Sequence, residues 1–362
     1  MKKIFLYIDM MYRGGAQRVM NNLATYFTTQ GWEVILCNDF LQDNTIPQYE
    51  VLPTVKRLYL AKKIEGNAII KNIHRIIKLR NLIKVEKPDC VLSFLGRPNQ
   101  RMLIATIGLK TKKIVSVRND PQREYGKGVR RIIAKTLFRL ADGCVFQTED
   151  AKQYFPFCVQ RKAAIIFNPV DKRFFQISDL DERQNIVTVG RLEKQKNHAL
   201  LIDAFCEIAK LFPKQKLILY GDGLLLPKLQ ERARDKGIDG QVVFAGNMDN
   251  IEEYLARAKV FVLSSNYEGM PNALMEAMAS GVPCIATDCP CGGSRMLLQN
   301  GKAGYLVPCN NKEALAKALS AVLSSTELQY LFSMRARDAA QYFKAEIIYD
   351  QWERYIQQVL EC

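Results

Sequence analysis

The 362-residue chain is predicted to be an α/β protein made of two doubly wound domains, each with a parallel sheet. Short, continuously apolar runs alternate with longer amphipathic stretches from end to end. That rhythm occurs twice, on either side of a stretch near 171–184 where the apolar periodicity lapses. The length also exceeds what one ordinary core fills and suits two domains.

In the first half the predicted strands are KIFLYI, EVILCN, DCVLSFL, KIVSV, GCVFQT and AAIIF. Helical periodicity lies between them at 16–30, 67–86, 97–109, 127–141 and 149–156. The second half continues with NIVTVG, KLILYG, QVVFAG, VFVLSS, VPCIAT and GYLVPC, and with helices near 197–212, 224–237, 250–257, 271–280 and 311–324. Strands that are apolar without alternation belong to sheets covered on both faces. Doubly wound domains bind ligands at the carboxyl ends of their strands. The expected domains are 1–172 and 185–342, with the amphipathic stretch 343–362 packing back onto the first.

Composition is that of a globular protein, with 48% hydrophobic and 25% charged residues and a mean hydropathy of −0.13. No apolar run is long enough to span a bilayer. The opening MKKIFLYIDM resembles a leader briefly, but Asp9 and Arg13 interrupt it, so it reads as a strand and a loop. Ten scattered cysteines without metal spacing suggest reduced thiols and a cytoplasmic setting. His74 and His198 are the only histidines, which argues against a histidine-based metal site, and no metal or cofactor is expected. The net charge of +15 is uneven: residues 1–178 hold 31 Lys/Arg against 14 Asp/Glu, the remainder 21 against 23. An anionic partner for the first half follows, whether membrane lipid, nucleic acid or a phosphorylated acceptor.

The loops at predicted strand ends carry the chemistry. GGAQR, with Gly14 and Gly15, opens the first helix, where glycine lets backbone amides approach a phosphate; a plain tight turn is the other reading. It is not GxGxxG, and the strand EVILCN ends on no acidic residue, which disfavours a nicotinamide site. GRLEKQKNH follows NIVTVG and presents Arg191 and Lys196, one bidentate and one a point charge, a set suited to a diphosphate. Two solvated loop cations are the alternative. Gly221 of GDG, and Gly246 and Asn247 of FAGNMDN, hold the equivalent places after the next two strands. EGMPNALME places Glu268 before a helix and Glu276 within it. Pro271 suits the first turn, leaving amides from Gly269, Met270 and Asn272 for hydroxyl or phosphate oxygens, while a carboxylate at Glu276 can accept from a ribose diol. A surface and a helix-face glutamate would look the same in isolation.

Taken in order, GGAQR, NPVD (168–171), GRLEKQKN, GDG, EGMPNALMEAMASGVP and CGG (291–293) resemble the retaining glycosyltransferases of family 4, which have the GT-B fold and a Glu-x7-Glu signature. Here seven residues separate Glu268 from Glu276. The resemblance implies a nucleotide-sugar donor held by Arg191 and Lys196 at its diphosphate, by Glu276 at its ribose, and by the amides of Gly269 to Asn272 at its sugar. It also implies Glu268 beside that sugar, Gly14 and Gly15 near diphosphate and acceptor, and the Phe244–Asn247 loop near the base. Two departures stand out. Many relatives carry a histidine after the strand matching KIVSV, where this chain has Arg118 and Asn119 as acceptor-side candidates, and Met296 stands where relatives often have the glutamate of GGxxE.

The reading is transfer of a hexose or N-acetylhexosamine from a nucleotide sugar, UDP preferred, to a lipid-linked or glycan acceptor. The helical stretches 67–87 and 127–143 carry a strong basic bias, and their apolar sides are expected to face the sheet. This suggests electrostatic attachment of the first domain to the anionic inner face of the cell membrane, and no reader module points to nucleic acid. A nucleotide-sugar epimerase of the same fold and a non-catalytic sugar-nucleotide binding module are the alternatives. Asp179-Leu180-Asp181 imitates a metal-binding Asp-x-Asp but sits in the linker.

Overall fold

The computed structural model describes residues 1–12, 14–41, 48–61, 67–175 and 183–362. Asp179-Leu180-Asp181 therefore lies outside the described residues. The chain folds as two compact units, Met1–Phe167 with Ile348–Cys362, and Asn168–Ile347. The boundary at Phe167 leaves the NPVD segment and the turn Lys172–Phe175 in the second unit.

The first unit holds seven strands, β1 (Lys3–Tyr7), β2 (Glu33–Phe40), β3 (Lys56–Ala61), β4 (Cys90–Phe94), β5 (Lys112–Ser116), β6 (Gly143–Phe146) and β7 (Ala163–Ile165), in the spatial order β3-β2-β1-β4-β5-β6-β7. All neighbouring pairs are parallel. β4 is buried at every position, because a central parallel strand is covered on both faces. The second unit holds β8 (Gln184–Val189), β9 (Leu217–Tyr220), β10 (Val242–Gly246), β11 (Ala258–Leu263), β12 (Cys284–Thr287) and β13 (Tyr305–Val307), ordered β10-β9-β8-β11-β12-β13 and again parallel. In each sheet the order reverses beside the first strand, between β1 and β4 and between β8 and β11, which is where doubly wound sheets open a ligand crevice.

Four features depart from the sequence reading, three of them small. β3 is an edge strand whose residues are mostly half-exposed, so KRLYLA has no continuous apolar run to announce it. The helix Thr326–Ala340 buries Phe332 together with small residues such as Ala336 and Ala340, a face too weakly apolar to stand out. β2 runs on through Asp39, so an acidic residue does end it. That carboxylate is already engaged, accepting from Tyr7 Oη at 2.7 Å and from Arg101 at 2.6 Å, with Arg75 at 3.3 Å.

The helix Ala68–Glu86 makes the largest departure. Asn67 caps it, its Oδ1 accepting from Ile69 and Ile70 amides at 3.1 and 3.0 Å. Three of its polar side chains then tie it to the rest of the unit. Arg75 pairs with Asp39, Asn72 Oδ1 accepts from Arg101 Nε at 2.7 Å, and Arg80 donates to the carbonyls of Ala105 and Ile107. Only Leu79 and Ile83 are buried, and Ile69, Ile73 and Ile77 face solvent. Periodicity locates an apolar stripe without saying which way it points, and here the charged anchors take the inner side.

The last helix, Ala345–Glu361, joins the core of the first unit through Ile348, Trp352 and Ile356. Trp352 is fully buried, 5.7 Å from the Phe94 ring. Tyr355 Oη accepts from the Cys144 amide at 2.7 Å and donates to the Lys162 carbonyl at 2.6 Å, and Tyr26 donates to Glu353 at 2.6 Å. Trp352→Ala removes a large core side chain and is expected to cost about 3–5 kcal/mol. Chemical denaturation of the full chain checks this; an unchanged midpoint would show that the helix is dispensable to the core.

Candidate functional site

The second sheet presents its ligand-side loops where its order reverses. β8 ends at Val189 and the segment Gly190–Asn197 follows, ahead of the helix His198–Ile208. β11 ends at Leu263 and Ser264–Pro271 follows, ahead of the helix Asn272–Ala279. Backbone and side chains fasten these two loops together. Asn266 N–H donates to the Gln195 carbonyl at 2.8 Å, Asn266 Nδ2 to Lys194 O at 2.8 Å, and Ser264 Oγ to Lys196 O at 2.9 Å. Asn197, left-handed at φ 49°, donates from Nδ2 to Asn266 and Asn310.

At the junction, Lys196 Nζ meets Glu268 Oε1 at 2.7 Å. The same oxygen accepts from Ser265 Oγ at 2.7 Å, while Gln195 Nε2 reaches Oε2 at 3.4 Å. Glu268 is 6% exposed. A carboxylate so far from water needs such partners, and removing its cation would strand it. Lys196 is thus held at a chosen point by a group that is itself held. Thr287, at the end of β12, donates to Ser265 O at 2.6 Å and extends the scaffold by one strand.

Glycines allow the loops to approach this closely. A Cβ on Gly293 would stand 1.9 Å from the Gly269 carbonyl oxygen, so only glycine permits CGG to lie against EGMP. Gly221, at φ +130°, sits against the Gly190 carbonyl and donates its N–H to Gly246 O at 2.7 Å. Gly190, Gly221 and Gly246 therefore form one backbone layer along the ends of β8, β9 and β10. Asn247 follows, exposed.

Pro271 caps the helix Asn272–Ala279, one position before the expected first turn. Its carbonyl accepts from Leu274 and Met275, which leaves the amides of Asn272 and Ala273 ahead of the first intrahelical bonds. Gly269, Met270 and Pro271 are buried, and Asn168 pins the loop from behind, donating from Nδ2 to Met270 O at 3.3 Å and Asn272 Oδ1 at 2.6 Å. Glu276 lies in the second turn of the helix, 5% exposed. Arg191 shares the Lys196 loop but is exposed and meets Glu193 at 3.2 Å rather than the buried pair. Gln195, Ser265 and Asn168 hold this loop framework together, and sequence reasoning left all three without a role. The KQKN and NPVD strings contained the signal for two of them.

His198 follows directly, 3% exposed, its Nδ1 without a hydrogen-bond partner among the described residues. Burial, and then the neighbouring Lys196 charge, pull it down to about 4. It is a neutral packing group and no base in waiting.

The remaining sequence candidates belong to the first unit. Gly14 is the extended residue before the helix Gly15–Thr29, and Gly15 is exposed at its start. Arg118 is buried with its guanidinium 4.7 Å from the Phe94 ring centre, and burial lowers it to about 9. Asn119 Oδ1 accepts from the Asp120 amide at 2.9 Å. Among the described residues no group of His, Cys, Asp or Glu is arranged to hold a metal.

Comparison with known proteins follows the same division of the chain. The family model described as "Glycosyl transferases group 1" matches residues 170–339, and that of "Glycosyltransferase Family 4" matches 13–174. One relative, from Campylobacter jejuni, is 28% identical over 95% of this chain and 96% of its own: N-acetylgalactosamine-N,N'-diacetylbacillosaminyl-diphospho-undecaprenol 4-alpha-N-acetylgalactosaminyltransferase. A second from the same species, a diNAcBac-PP-undecaprenol-linked alpha-1,4-N-acetyl-D-galactosaminyltransferase, is 26% identical over 99% of both chains. Among solved structures, Anabaena HepE in complex with UDP superposes with a TM-score of 0.81 at 18% identity, covering 99% of this chain and 100% of that one.

Two outcomes are expected from the local geometry. His198 is depressed on folding, so the unfolded chain binds the extra proton between about pH 6.5 and 4 and stability rises with pH across that window. The slope should approach about 1.4 kcal/mol per pH unit and flatten in His198→Leu; denaturation at stepped pH checks it. Gly293→Ala must push the Gly269 carbonyl aside, so a melting temperature equal to the parent's would contradict the close approach.

Proposed function

The chain belongs to glycosyltransferase family 4 and is a glycosyltransferase of the GT-B fold, and from that premise we propose that it transfers a sugar from a UDP-sugar to a lipid-linked acceptor with retention of anomeric configuration. The observation that carries the reading is the Lys196–Glu268 pair on interlocked loops at the carboxyl edge of the second sheet.

Cleavage of a nucleotide sugar leaves a diphosphate whose charge grows as the bond breaks, and a cation fixed beforehand stabilises it without reorganising during the reaction. Lys196, held by Glu268, supplies that cation. The amides of Asn272 and Ala273 add neutral donors at a helix start, where the dipole favours anions. Arg191, exposed and only weakly engaged by Glu193, is free to swing onto a phosphate oxygen. With these groups the reading invokes no metal. Glu268, buried beside the cation, brings negative charge to the donor sugar, where positive charge develops at the anomeric carbon. Glu276 is proposed to accept from the ribose hydroxyls, Gly269 to Asn272 to contact the sugar, and Gly221, Gly246 and Asn247 to edge the base.

The acceptor side is assigned to the first unit, with Gly14, Gly15, Arg118 and Asn119 as its candidates. Support for a lipid-linked acceptor comes from the two Campylobacter relatives, whose names specify undecaprenol-diphosphate substrates, and support for uridine from the UDP bound to the Anabaena protein. The excess positive charge of residues 1–178 fits an anionic membrane surface, the site of such acceptors.

Thermal shift with UDP, GDP and ADP tests the donor, with stabilisation expected from UDP. Lys196→Ala is expected to lower kcat for transfer by about 10²–10³-fold, the scale of losing one fixed electrostatic partner. A radiolabelled-sugar transfer assay reads this out, and parent-like turnover would overturn the site. Proton NMR of the product gives the anomeric configuration directly.

A further inference from the structure

The first unit exposes an aliphatic surface that the transfer chemistry does not explain. On the helix Ala68–Glu86, Ile69, Ile70, Ile73 and Ile77 are each 51–70% exposed. On a second helix, Val129–Leu137, Val129, Ile132 and Ile133 are 49–71% exposed and only Ala134 is buried. Both helices pack against the helix Gly96–Ala105, so they flank it in one layer. Right-handed crossovers from β3 to β4, β4 to β5 and β5 to β6 run in one direction along the sheet and place all three on the same face.

Isolated exposed aliphatics are ordinary, whereas seven of them gathered on two helices of one layer mark a contact surface. The set is not left over from poor packing. Helix Ala68–Glu86 is anchored from within by Arg75 on Asp39, Asn72 on Arg101 and Arg80 on two carbonyls, which turns the isoleucines outward. The accompanying charge has one sign. Lys78 and Lys84 are exposed on the first helix, and Arg130 and Arg131 on the second, with Arg139 just beyond it. Helix Val129–Leu137 contains no acidic residue, and helix Ala68–Glu86 has only Glu86, at its end.

We infer that this face docks on a lipid bilayer carrying anionic headgroups, with the outward isoleucines of both helices inserted below the headgroup level and the basic side chains engaging phosphate. An amphipathic helix lying in the interface has this composition, aliphatic below and Lys/Arg around it. A second copy of the chain would meet the face with the same positive charge, since a two-fold contact is self-complementary. The inference deepens the lipid-linked-acceptor reading by naming the surface that brings the protein to such an acceptor, and it rests on that reading for its purpose only. It also separates from simple charge attraction, because inserted aliphatic groups hold when salt screens the charges.

The full chain is tested by flotation with vesicles of phosphatidylcholine alone or mixed with phosphatidylglycerol, at low salt and at about 1 M salt, where the screening length falls to about 3 Å. Binding is expected to need the anionic lipid and to leave a salt-resistant fraction. The triple variant Ile70→Ser/Ile73→Ser/Ile77→Ser and the double variant Ile132→Ser/Ile133→Ser should each lose at least tenfold in partitioning and the salt-resistant fraction, with melting temperature retained. Arg130→Gln/Arg131→Gln should weaken low-salt binding. Three results would overturn the inference: no flotation with anionic vesicles, serine variants that float like the parent, or sedimentation showing an oligomer that those variants dissociate. A UDP-induced thermal shift measured in parallel belongs to the donor site, so loss of flotation with that shift intact condemns the docking face alone.

Discussion

The second unit is organised around one buried ion pair. Glu268 lies nearly out of water with Lys196 and Ser265 as its partners, and Lys196 is held in place by Glu268 and the loop contacts that carry both. A pair of this kind contributes little net stability once desolvation is counted. Its value is placement: an ammonium fixed where two strand ends diverge, with helix-start amides supplied by the same loop. Positioning a charge beforehand is what the proposed release of a diphosphate would require.

Placement at that precision depends on backbone contact. Parallel strands deliver their loops to one edge, and glycine lets those loops touch, as at Gly293 against Gly269 and Gly221 against Gly190. Asn168, Gln195 and Asn266 then lock loop to loop through carbonyls and amides. The first unit uses the same parallel architecture differently. Its buried charges, Asp39 with Arg101 and Arg75, orient a helix, and the consequence is an aliphatic face turned to the outside.

Much of this was legible in the residues. Apolar runs without alternation announced parallel strands, and the Glu268 to Glu276 interval, read with Lys196 and the glycine pairs, pointed to the two loops that the structure fastens together. What stayed hidden has physical causes. β3 is half-exposed at an edge, and helix Thr326–Ala340 buries a largely small-residue face, so neither produces a strong pattern. Asn168, Gln195 and Ser265 are polar loop residues whose roles arise from tertiary contacts and leave no periodic trace. The isoleucines of helix Ala68–Glu86 have helical spacing whichever way they face, and only the anchoring of Arg75 and Arg80 decides it. The acidic end of β2 was missed because Asp39 continues a strand whose apolar run stops at Cys37.

The account turns on what Lys196 and its loop grip, and a crystal structure of the full chain with UDP addresses that directly. The account predicts the diphosphate within hydrogen-bonding distance of Lys196 Nζ and the amides at the start of helix Asn272–Ala279, with the ribose against Glu276. A nucleotide bound elsewhere on the molecule, with the Lys196–Glu268 pair untouched, would contradict it.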